Sequence, residues 1–289
     1  HRAAMAERRD WVREAAAVDV KVGARYAHVE TEHFLVHSCI PEWRFDRLGK
    51  RDRDEAAHLY ALRLEKLADR FKEVVGRLPE KRGRIFLQWD MEQELKATQE
   101  FGPFAARTAL RGFVDKDLAW FGFPAFESLY RDQGLQSYLV HNAAHLLVEG
   151  LFDYQMAPPW LSVGVAHFFE QDAFEGKKDC TNFCSERVSY KSKWASGSAW
   201  AKLLAKEAGR NKDLGLVELA ALKPEDLGAR EHAYAFAWAG FFLLREAAQR
   251  DLILDALVAR QPVSELPGLL GLDETSLKKE WRAHLTRLR

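Results

Sequence analysis

The sequence predicts an α+β fold, with a small mixed sheet and its helices first and a mostly helical lobe after them. Three patterns carry that expectation. Short apolar runs of strand type fall in the first third, around Phe34-Leu35-Val36 and from Arg84 to Trp89. Between them, Asp54 to Val75 sets Leu59, Leu62, Leu67, Phe71 and Val74 at helical spacings. From Leu129 almost to the end the apolar pattern is helical.

Each element has its own local reason. Ala4 to Ala17 reads as a helix, His28 to Cys39 contains the first strand, and Leu78-Pro79 ends the helix that follows. After the second strand, Asp90 with Gln93 forms a capping pair for the next helix. A strand or hairpin is expected within Leu110 to Phe121, where Phe113, Val114, Trp120 and Phe121 sit among turn-type residues. The next helix carries Leu135, Tyr138, Leu139, Leu146 and Leu147 on one apolar face. Pro158-Pro159 stops what precedes and suits a helix start, because the first helical position needs no amide hydrogen bond. Later helices are expected near Ser198 to Ala208, His232 to Ala248, Leu252 to Val258 and Thr275 to Leu288.

With 289 residues, 47% of them hydrophobic, the chain can bury a substantial core. No repeat or Gly/Ser linker divides it, so the expected lobes, 1–157 and 158–289, form one intimate unit. Lys plus Arg equals Asp plus Glu at 43 each, which removes any global electrostatic reason to expect nucleic acid or an anionic membrane as partner. No apolar run is long enough to cross a bilayer, so no transmembrane segment is expected. Cys39, Cys180 and Cys184 are too few for a disulfide framework; the pair at 180 and 184 admits a small disulfide, a metal site completed from elsewhere, or two ordinary thiols.

The chemistry concentrates at His141-Asn142-Ala143-Ala144-His145 and at the helix opening Pro159-Trp160-Leu161-Ser162-Val163-Gly164. Histidines four apart project from one helix face and can offer nitrogens to one ion. A hydrolytic zinc site also needs a third protein ligand, an open position for water and a general base. In the H-E-x-x-H arrangement that base follows the first histidine. Here the position is Asn142, whose amide cannot accept a proton at neutral pH.

These residues resemble the gluzincin zinc metallopeptidases, specifically the bacterial peptidase MA-like group, in which H-E-x-x-H is followed by a helix reading W-L-x-E-G-x-A. Further similarities lie in Glu32-His33-Phe34-Leu35-Val36, in Tyr234-Ala235-Phe236-Ala237-Trp238 leading into Phe241-Phe242-Leu243-Leu244, and in Leu270-Gly271-Leu272-Asp273 through Leu277 to Trp281. They occur in the family's order and span most of the chain. The resemblance implies a zincin-like first lobe, a zinc held by His141 and His145, an oxyanion role for Tyr234, and an exported, periplasmic or membrane-associated setting. It also puts the family's third ligand, a glutamate, on Val163, which has no donor atom.

Loss of both base and ligand points to a pseudopeptidase that keeps its cleft, with Trp160 and Glu170 in it, for a peptide or protein partner or as a scaffold. The cofactor is then none, or weakly bound zinc, since two imidazoles alone make a weak site. The alternative is a zinc-dependent hydrolase with a rearranged ligand set, His141, His145 and His167, and Glu170 or another carboxylate as base. Asp153 is a weaker ligand candidate, and Glu149 lies about 12 Å along the helix from His141, too far to share its ion.

Overall fold

A computed structural model describes residues 2–89, 91–101, 113–115, 118–120, 132–153, 156–174, 192–194 and 196–288. Cys180, Cys184, Asp90 and the aromatic run after Trp120 lie outside them. The architecture is α+β, and it divides into two compact units, 1–68 with 80–142 and 69–79 with 143–289.

The first unit is built on a three-stranded sheet in the order β1 (Ala27–Glu30), β2 (Phe34–Ser38), β5 (Gly83–Leu87). β1 is antiparallel to β2, and β2 is parallel to β5, with Val36 opposite both Val29 and Ile85. Parallel neighbours need a crossover. It runs through helix α2 (Arg53–Val75). Helix α1 (Arg2–Val22) precedes the sheet, and helix α3 (Met91–Phe101) follows it. Alternation along the strands separates two faces. On one, Phe86 and Cys39 pack with Val18 and Val22 of α1, Tyr26, and Ala97 of α3.

A hairpin of β3 (Glu42–Phe45) and β4 (Gly49–Asp52) has no counterpart in the sequence expectation. Its strands are charged, and only Trp43 and Phe45 among their eight residues are buried. The second hairpin, β6 (Phe113–Asp115) with β7 (Leu118–Trp120), falls where one is expected. Helix α4 (Asp132–Leu151) begins with Asp132, buried and gripped by α2: the Arg63 guanidinium donates to it through two nitrogens, at 2.5 and 2.8 Å, and the Tyr60 hydroxyl donates at 3.2 Å.

The second unit centres on helix α5 (Pro159–Ala173), in which every residue from Trp160 to Glu170 is buried. A helix buried on all sides belongs to a core. Pro158 and Pro159 fix its start, with the Leu161 and Ser162 amides donating to the Pro158 carbonyl. After it come α6 (Trp200–Ala208), α7 (Leu216–Ala220), α8 (Ala229–Leu243), α9 (Ala247–Val258), α10 (Leu266–Leu269) and α11 (Glu274–Arg287).

α8 lies directly on α5. Gly164 makes this possible, because a Cβ there would sit 2.6 Å from the Ala235 carbonyl carbon. Outside that contact, the Trp238 and Trp281 rings stack at 3.7 Å with planes 8° apart. The end of α2 belongs here too: Arg70 donates twice to Asp172 at 2.9 Å, and Phe71 stacks on Phe169.

The break expected between the helices over 232–248 and 252–258 comes earlier in the chain. α8 ends at Leu243 and α9 starts at Ala247, while Arg245 folds over the Phe241 ring at 4.3 Å and pairs with Glu280 at 2.7 Å. Among the described residues no helix is long and apolar enough to cross a membrane.

Candidate metal centre

α4 and α5 form the helix pair that carries the motif, and their connection is tied by one side chain. Glu149 accepts the Ala157 amide at 2.6 Å and the Ser162 hydroxyl at 2.7 Å. That hydroxyl can donate only once, so it accepts from His145, whose Nδ1 lies 2.8 Å away and carries the proton. His145 is therefore held by the Ser162–Glu149 network.

The group that gathers is a different one. His141 on α4 meets His167 and Glu170 on α5, each offering a ligand atom within 4.8 Å of the others. Their relative exposures are 2%, 0% and 1%. Among the described residues this is the set that could hold a metal ion, and His145 is not in it. Positions three apart on a helix share a face, which puts His167 and Glu170 together. Nδ1 of His167 lies 3.5 Å from Glu170 Oε2, while its Nε2 lies 2.8 Å from Nδ1 of His232 on α8. The His167 ring also meets Trp200 edge to face at 5.0 Å.

The family's ligand pattern does not fit these residues: Val163 is a buried apolar side chain, and His145 is not among the three residues that gather. The set His141, His167 and Glu170 does fit. Two imidazoles and a carboxylate are zinc-type donors, and in a tetrahedral site with bonds near 2 Å such atoms stand about 3.4 Å apart. The His167–Glu170 pair is already at that separation. A carboxylate buried to this degree also needs a proton donor or a cation beside it.

Asn142 is 8% exposed and its amide nitrogen donates back to the Tyr138 carbonyl of its own helix at 2.9 Å. Tyr234 is buried in α8, its hydroxyl donating to Glu207 at 3.0 Å with Arg230 stacked over the ring at 4.9 Å. Burial first, and then that carboxylate, push its phenol pKa upward. Trp160, expected to line a cleft, is 1% exposed and packs against Phe242, so it is a core residue; Glu170 is equally buried and faces His167. Asp153 is exposed in the connection after α4, in the left-handed region at φ 51°.

His232 and Ser162 are the polar residues that sequence reasoning missed. Ser162 lies in the variable position of the Trp-Leu-x pattern, and His232 stands 65 residues from His167, with no local signal linking the two. Against family models and curated proteins, the chain matches none.

Proposed function

We propose that this chain is a peptidase-like protein that does not hydrolyse peptides, acts by binding or scaffolding, and uses a divalent ion of the zinc class as an internal clamp between α4 and α5. The observation that carries the reading is the closure of the site. All three candidate ligands are buried, whereas a hydrolytic zinc keeps a position open to water beside a general base. The base position holds Asn142, with its amide folded onto its own helix. An ion bound by His141, His167 and Glu170 would supply charge neutralisation and cross-linking. The protein's part is to orient the ligands: with Nδ1 of His167 turned to the ion, its Nε2 would donate to His232.

The second reading is a zinc hydrolase with the rearranged set, and the meeting of His141 with His167 beside a carboxylate favours it. Two measurements separate them. Protein purified without added metal is assayed for bound zinc and for its melting temperature with and without chelator. The same sample is then offered a broad peptide library. The clamp reading expects near-stoichiometric zinc, a lower melting temperature after chelation, and no cleavage. Metal-dependent cleavage abolished by His141→Ala would establish the hydrolase instead. Protein without zinc, whose melting temperature ignores added zinc, overturns both.

A further inference from the structure

The first unit contains a second polar chain, which runs from the half-exposed Asp19 to the buried His37 and is unconnected with the peptidase-like motif. Asp19 near the end of α1 accepts the Tyr26 amide at 2.9 Å, and its same oxygen lies 3.2 Å from Nε2 of His28 on β1. Nδ1 of His28 lies 2.8 Å from Nδ1 of His37 on β2, the residue directly across the ladder. Trp11 of α1 packs against the His37 ring at 5.0 Å and the His28 ring at 6.3 Å, and Phe86 of β5 stacks on His37 at 4.5 Å. His37 is fully buried, and its Nε2 has no hydrogen-bond partner.

The two rings have a fixed set of proton positions. A carboxylate only accepts, so Nε2 of His28 carries a hydrogen. Only one hydrogen fits between two nitrogens 2.8 Å apart. With both rings neutral these two sites hold both protons, and Nε2 of His37 is a bare lone pair. A third proton, whichever ring is assigned the charge, must place an N–H on His37 Nε2, where no acceptor lies. A buried donor without an acceptor and a buried charge both disfavour that state.

We propose that Asp19, His28 and His37 form an acid-sensitive latch, which fastens α1 to the sheet while it holds two protons and releases α1 when a third is taken up. The surrounding charges act in the same direction or are neutralised. From β5, Arg84 opposes positive charge on His37 while pairing with Glu14 of α1 at 3.0 Å. From β1, Glu30 is paired with Arg82 at 2.6 Å. Tyr26 donates to Gln88 at 2.6 Å, and its pKa is raised by burial and by Cys39, so it stays neutral. His58 of α2 stands exposed across the groove, bonded through Nδ1 to the Asp54 carbonyl. This groove, about 490 Å³ and lined by Trp11, His28 and His58, gives protons a route to His28.

Burial holds His28 below its ordinary value and His37 well below it. The closed state thus binds fewer protons than the open one, so the latch is strongest above about pH 6.5 and weakens as pH falls. Hydrogen exchange of the 2–22 segment in the full chain tests this directly. After correction for intrinsic chemistry, exchange should rise between pH 7 and pH 5 by about 20-fold for each imidazole protonated on opening. In His37→Phe, which keeps the stack on Phe86, that rise should shrink to the share of His28 alone or vanish. If His37→Phe fails to fold, ¹⁵N chemical shifts of the wild-type rings decide. They should show His37 protonated at Nδ1 and bare at Nε2 for as long as 2–22 stays protected. Exchange of 2–22 that is flat from pH 7 to 5, or a His37 ring doubly protonated with α1 still protected, overturns the latch.

Discussion

Nε2 of His167 and Nδ1 of His232 lie 2.8 Å apart in the interior of the second unit, His167 fully buried and His232 1% exposed. One of the two nitrogens must carry the hydrogen. If His167 presents Nδ1 to an ion beside Glu170, its Nε2 is the donor and His232 the acceptor, so His232 sets the tautomer that the site requires.

Replacing His232 with Phe should therefore weaken zinc binding by about 10- to 100-fold, the usual loss when the group orienting a ligating histidine is removed. His232→Asn, whose carbonyl can still accept, should recover part of it. Competition against a chromophoric chelator measures both variants. Equal affinity in wild type and His232→Phe would remove His232 from the site.

Gly164→Ala should destabilise the second unit by about 3 kcal/mol or more. The added methyl meets the backbone carbonyl of Ala235, which cannot rotate away, and lies 3.0 Å from the Ala239 Cβ. Urea denaturation gives the magnitude, and a change under about 1 kcal/mol would show that α5 and α8 have room to part.

Asp132→Asn should cost about 3 kcal/mol, because it leaves the Arg63 guanidinium without its counter-charge at the start of α4. The Tyr60 hydroxyl keeps an acceptor in the variant. A double-mutant cycle with Arg63→Leu separates pairing from packing; if the single and double changes add, the ion pair contributes nothing of its own.

Acid should also weaken the second unit. Burial, with Arg287 and Arg245 adding to it, holds His284 down to about 4 against the bond to the Ala237 carbonyl. A histidine depressed in the folded state stabilises it above its unfolded value near 6.5, and that contribution disappears as pH falls from 6.5 to about 4. The loss is on the order of 3 kcal/mol. His284→Gln, which can still donate to Ala237, should flatten the stability–pH curve across that interval.

Much of this molecule is legible where physics is local. The Pro158-Pro159 start of α5 and the apolar spacing of α4 follow from backbone constraint and periodicity, and residue type alone shows that Asn142 offers no general base and Val163 no donor atom. The β3–β4 hairpin is illegible because its charged strands bury only Trp43 and Phe45, too few for a period-two signal. The histidine spacing at 141 and 145 gives a shared helix face but not the ring's partner. Ser162 and Glu149 hold His145, and His141 finds its companions on the next helix.

The near-parallel indoles of Trp238 and Trp281 give the second unit an optical signature of its own. Electronic transitions in rings that close couple, and the coupling fades steeply as the rings separate. A near-ultraviolet circular dichroism band lost in Trp281→Phe would report the contact of α8 with α11. The two units could then be followed through unfolding on separate channels, α1 by its exchange and α8 by its light.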